Sequence, residues 1–74
     1  MNRTQFLQKL FAMYQNNFDK NNIQVWADAY KQVLPEDTDF DKLFYKVLVT
    51  HDSVDKAPTP KFLHDLIKPY NPRG

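Results

Sequence analysis

FDKLFYKVLV, residues 40–49, is the stretch on which the reading of this chain turns. On a helix turning about 100° per residue, Phe40, Leu43, Phe44, Val47 and Leu48 share one face. Tyr45 and Val49 widen the apolar arc to roughly two-thirds of the circumference. A helix this apolar is not suited to lying on a surface with one side wet. Two arrangements suit it. Either it runs through the middle of a small bundle with helices packed on two or three sides, or its extra flank at Tyr45 and Val49 stays open for a partner. In both cases the chain reads as all-α, a small compact bundle of about four helices.

Length and composition set the frame around that helix. With 74 residues the chain makes one domain, read here as residues 1–70 followed by a tail at 71–74. So short a chain buries only about 60% of its unfolded surface, which makes its stability marginal by default. It has no cysteine, so neither a disulfide nor a cysteine-based metal site can help. Aromatics supply the missing burial. Six Phe, four Tyr and one Trp can each cover roughly 150–250 Å². Ten basic residues are scattered among nine acids, for a net charge of +1. A dedicated duplex-DNA binder usually shows a clustered basic face, so nucleic acid is not the favoured ligand. No apolar run is long enough to span a membrane. The opening MNRTQFLQKL lacks a signal-peptide core and a small-residue cleavage site, and the expected location is cytoplasmic.

Working outward, Thr4 is expected to cap a first helix reaching about residue 16, with Phe6, Leu7, Leu10, Phe11 and Tyr14 inward and Met13 at the margin. Residues 16–22, NNFDKNN, are rich in side chains that compete for backbone hydrogen bonds, and read as a turn with Phe18 dipping back to the core. Asn21 or Asn22 then caps a second helix over 23–34. Its inward face is Ile23, Trp26, Ala27, Tyr30, Val33 and Leu34, with Val25 pointing roughly opposite. Trp26 reads as a core anchor, and otherwise as a partner-facing hot spot. Pro35 stops this helix. Thr38 or Asp39 caps the third, with the acids of 36–39 at its positive end. Residues 51–58 form a loop. Thr59 caps a short fourth helix over 60–68 that begins on Pro60, with Phe62, Leu63, Leu66 and Ile67 inward. Pro69 and Pro72 end it.

The candidate chemical groups are sparse. Asp37, Asp39 and Asp41 have the spacing that opens a calcium loop, but Lys42 stands where glycine is needed and Leu48 where the bidentate glutamate belongs. Capping accounts for these acids more simply. His51 and Asp52, like His64 and Asp65, are sequence neighbours, and adjacent helix positions do not face each other; both histidines read as solvated surface. Ser53 lies near His51 with nothing to enclose it. The only glycine is Gly74, so there is no phosphate-binding loop. The chain therefore reads as non-enzymatic, without cofactor or metal. Its best candidate contact residues are Tyr45, Val49 and Val25, the exposed apolar positions, with Lys42 and Lys46 as a polar rim. Lys61 joins those two lysines if the third and fourth helices meet, although a solvated face is the simpler reading.

The order of structural residues resembles a known family. A first helix carries an aromatic pair, Phe6 and Phe11. A second opens on Val25-Trp26 with Tyr30 a turn later. A third is of the Phe40–Leu48 type, and a proline-bounded short helix starts at Ala57-Pro58-Thr59-Pro60-Lys61-Phe62-Leu63. Over residues 5–68 this is similar to the N-terminal folded domain of the replicative helicase loader and inhibitor proteins of phages that infect Gram-positive bacteria. The resemblance implies an all-α domain that binds protein. The expected partners are a DnaB-type hexameric helicase, whose ATPase is held in check, and the initiator to which the helicase is delivered. Family members also carry a flexible C-terminal tail. This chain stops at Gly74, and so matches either that folded domain alone or a short relative. A small nucleic-acid-binding regulator using the third or fourth helix is the alternative; a purely structural or assembly role is the third.

Overall fold

Asn2, rather than Thr4, starts the first helix of the computed structural model, which describes residues 1–51 and 55–67. The Asn2 side chain accepts from the Gln5 amide at 2.8 Å, and Gln5 Oε1 accepts from the Asn2 amide at 2.9 Å. This reciprocal pair satisfies two donors that a helix start leaves open. Thr4 lies two residues too late and is exposed within the helix. The helix, α1, spans Arg3–Met13. A single 3-10 turn, Gln15–Asn17, follows, so the expected continuation to residue 16 tightens after Met13 instead.

The second start also differs from expectation. Asn22 occupies the cap position of α2 (Ile23–Val33), yet its side chain makes no cap bond to the helix. It is turned back, accepting from the Asp19 amide at 2.8 Å and donating to the Asn17 carbonyl at 3.2 Å. Asp19 Oδ1 in turn takes the amides of Asn21 and Asn22, at 2.8 and 2.9 Å. A side-chain-built turn therefore precedes the helix and delivers the chain into it. At the other end Arg3 reaches across from α1. It donates to the Leu34 carbonyl at 3.2 Å and to Glu36 Oε1 at 3.0 Å. Glu36 is thus engaged at the end of α2.

Two of the expected starts hold. Asp39 Oδ1 accepts from the Lys42 amide at 3.1 Å and caps α3, Phe40–Thr50. Thr59 Oγ1 accepts from the Phe62 amide at 3.2 Å and caps α4, Pro60–Ile67. The expected reach of the fourth helix to Lys68, its stop at Pro69 and the tail at 71–74 lie outside the described residues, as do Asp52 and Ser53.

Four α-helices, with no strand among the described residues, give the all-α architecture. α2 returns antiparallel to α1, because Phe18 pairs with Trp26 while Arg3 meets Leu34. α3 then runs in the same sense as α1. Phe6 sits 5.4 Å from Phe40 and 6.1 Å from Phe44, and farther along Tyr14 meets His51 at 5.9 Å. α4 comes back against both α2 and α3. The core is aromatic at its centre. Tyr30, wholly buried, is surrounded by the rings of Phe11, Phe18 and Trp26. Its hydroxyl donates to the Pro58 carbonyl at 2.6 Å. That bond ties the start of α4 to the middle of the core, and Asn17 adds two more ties to the same connection, at Asp55 and Ala57.

Four inward assignments shift. Ile23, at the first turn of α2, is exposed because Asp19 and Asn22 hold that end away from the core. Leu48 is 50% exposed. α1 covers the Phe40–Phe44 side of α3, and α4 meets the Leu43–Lys46 side. Trp26 and Phe44 are half-buried at the edge of the core rather than inside it. No helix among the described residues is long and apolar enough to cross a membrane.

The Tyr30–Pro58 bond predicts a specific loss. Tyr30→Phe leaves a buried carbonyl without its donor, at a cost of about 1–3 kcal/mol in urea titration. Burial, reinforced by nearby Tyr14, pushes the Tyr30 phenol well above its ordinary value of 10.0. The unfolded chain releases that proton first. Stability is therefore intact below pH 10.0 and falls as pH rises past it, and the Tyr30→Phe variant should show a shallower alkaline decline. Equal slopes for the two proteins would show that Tyr30 does not carry the effect. At the other tie, Thr59→Ala should cost about 1 kcal/mol and speed amide exchange in the first turn of α4.

Candidate protein-docking face

α3 has three kinds of surface. Phe40, Leu43 and Val47 point into the core. On one shoulder, Lys42 and Lys46 stand a turn apart and line a shallow groove of about 330 Å³, with Leu43, Leu66, Ile67 and Pro35 as its apolar walls. Lys46 Nζ lies 3.5 Å from the Leu66 carbonyl, near the end of α4, where a cation is favoured. Beyond the lysines runs an uncovered apolar stripe. Tyr45 is 66% exposed, Val49 60% and Leu48 50%. These three sit at i, i+3 and i+4, and so adjoin on the helix surface.

Met13 extends the stripe. Lys9 Nζ sits 5.7 Å over the Phe44 ring. One turn farther along each of these two like-directed helices stand Met13 and Leu48, and both are exposed. Periodicity alone places Leu48 inside and Met13 at the margin. The signal that could have separated them is the width of the arc. Apolar residues around two-thirds of a helix exceed what the two helices packed on it, α1 and α4, can cover.

Of the five residues expected to make contact, four come together. Tyr45 and Val49 form the stripe, and Lys42 and Lys46 border it. Val25, on α2, is exposed but stands apart, since α3 packs on α1 and α4; a single exposed apolar residue is ordinary. Lys61 is exposed and does not line the groove with Lys42 and Lys46, although α3 and α4 do meet.

The titratable groups have structural partners. Asp39 caps α3, and Asp41 holds the Met1 amine, with both carboxylate oxygens at 3.0 Å. His51 is not solvated surface as expected. It is half-buried, its ring 5.9 Å from Tyr14 and 5.3 Å from Phe62, and its Nε2 is 2.6 Å from the Lys56 carbonyl. The histidine thus joins the ends of α1 and α3 to α4. His64 is exposed. Among the described residues no three His, Cys, Asp or Glu gather where they could hold a metal. Neither a protein-family model, nor a curated protein, nor a solved structure matches the chain.

The stripe should be dispensable for folding. Tyr45→Ala and Leu48→Ala are each expected within about 0.5 kcal/mol of the parent, whereas Leu63→Ala, at a fully buried position, should cost about 2–5 kcal/mol. Urea titration of the three variants checks this. A Leu48→Ala loss as large as that of Leu63→Ala would make the stripe part of the core.

Proposed function

We propose that this chain is a non-enzymatic protein-docking domain that acts in the cytoplasm and uses the outward face of α3. The observation that carries the reading is the uncovered Tyr45–Leu48–Val49 stripe, set between charged borders on the side of α3 away from the core. Interface centres favour aromatic and aliphatic anchors with a polar rim. The partner implied by the family resemblance is a hexameric replicative helicase of the DnaB type, with delivery to an initiator as the biological outcome.

Titrating the domain into such a helicase tests this, with complex formation and ATPase rate both followed. Complex formation with a slowed ATPase is the expected result. Tyr45→Ala should weaken the complex by about 1–2 kcal/mol while leaving the melting temperature unchanged. Absence of a complex at high micromolar concentration, with tight duplex-DNA binding that collapses in added salt, would replace this reading with that of a nucleic-acid-binding regulator.

A further inference from the structure

We infer that the occupant of the α3 stripe is an acidic amphipathic helix; this rests on the docking reading above and specifies the chemistry of the partner. The whole chain is nearly neutral at +1, but the charge is not evenly placed. α1, Arg3–Met13, contains no acid, and α3, Phe40–Thr50, contains only Asp41. Both Asp41 oxygens are taken up by the Met1 amine at 3.0 Å. The lysines on these helices are differently placed. Lys42 and Lys46 flank the stripe along one side. Lys9, over the Phe44 ring, flanks it along the other. Lys42 has no ion pair among the described residues. Among the described residues the only ion-paired base of α1 and α3 is Arg3, which faces α2 through Glu36. An apolar strip with cations along both edges thus presents a positive rim to whatever covers it.

The shape of the strip chooses among anionic partners. Met13, Tyr45, Leu48 and Val49 offer one exposed aromatic ring among three aliphatic side chains. Single-stranded nucleic acid is usually held by successive aromatic platforms, and one tyrosine is a poor match. A helix laid along α3 suits the strip better. Its i, i+3, i+4 and i+7 apolar positions would meet the strip, and its flanking Glu and Asp would meet Lys42 and Lys46 on one side and Lys9 on the other. A second copy laid on the strip would bring lysines against lysines.

A panel of helical peptides tests the inference. All share one apolar face, and their flanking residues step from glutamate through glutamine to lysine. Binding is followed by amide chemical shifts of the full chain. The expected result is affinity rising stepwise with peptide acidity, with shifts confined to Met13, Tyr45, Leu48, Val49 and their neighbours. The preference should weaken with added salt. The double variant Lys9→Glu, Lys42→Glu should reverse the order, so that the lysine peptide binds best, with roughly a tenfold change in each direction. Lys46 is left in place because it supports the end of α4, and circular dichroism and melting of the variant confirm that it folds. Peptides of every charge binding this face equally would overturn the acidic chemistry and leave the docking reading standing. No binding of any peptide at millimolar concentration, or shifts on another face, would overturn both. Tighter binding of a single-stranded oligonucleotide or an anionic lipid vesicle at the same residues, or a concentration-dependent dimer through them, would overturn the choice of a helical partner.

Discussion

The hydrogen bond from the Tyr30 hydroxyl to the Pro58 carbonyl is the constraint around which this small domain is arranged. A chain of this length has little apolar area to spare, and Tyr30 does two jobs with one residue. Its ring fills the space between Phe11, Phe18 and Trp26. Its hydroxyl supplies a buried carbonyl with a donor, which burial otherwise makes expensive to leave unmet. Since Pro58 immediately precedes the Thr59 cap, the same bond decides where α4 begins. Asn17 and His51 hold the same connection from two other directions.

Once α4 is placed there, the open face of α3 follows. α4 is shared between α2 and α3. It shelters Leu43 and part of the Lys46 shoulder. α1 shelters Phe40 and the inner edge of Phe44. Nothing among the described residues is left to cover Tyr45, Leu48 and Val49. The apolar content of α3 therefore divides into a part that stabilises the fold and a part available to a partner. The division is set by the lengths and directions of its neighbours rather than by the hydrophobicity of the residues themselves.

Charge shows the same dependence on placement. In the linear chain the lysines look scattered, and the balance of bases and acids argues against any strongly charged surface. Folding brings the acid-free α1 alongside α3. Nearby, Asp39 caps α3, Asp41 holds the N-terminal amine and Glu36 pairs with Arg3. Lys9, from far away in sequence, then joins Lys42 and Lys46 around one apolar strip. No window along the chain contains that grouping.

The sequence by itself determined the helical class, the approximate extents of the helices, the Thr59 cap, and the cap of α3 to within the pair Thr38 and Asp39. Those properties depend on local periodicity, prolines and side-chain-to-backbone bonds within a few residues. It also marked Tyr45, Val49, Lys42 and Lys46 as surface candidates, because helical spacing alone sets their relative positions on α3. Where a local bond competed with a simpler pattern, the reading missed: Gln5 completes a capping box with Asn2 and excludes Thr4, and Asp19 diverts Asn22 from its helix. Only the tertiary structure decided that Leu48 and Met13 are both exposed, that Lys9 of α1 lies over Phe44 of α3, and that His51 is a half-buried joint between helices. Each depends on which helices meet and how far each one extends, and that is fixed by packing around Tyr30, between residues far apart in the chain.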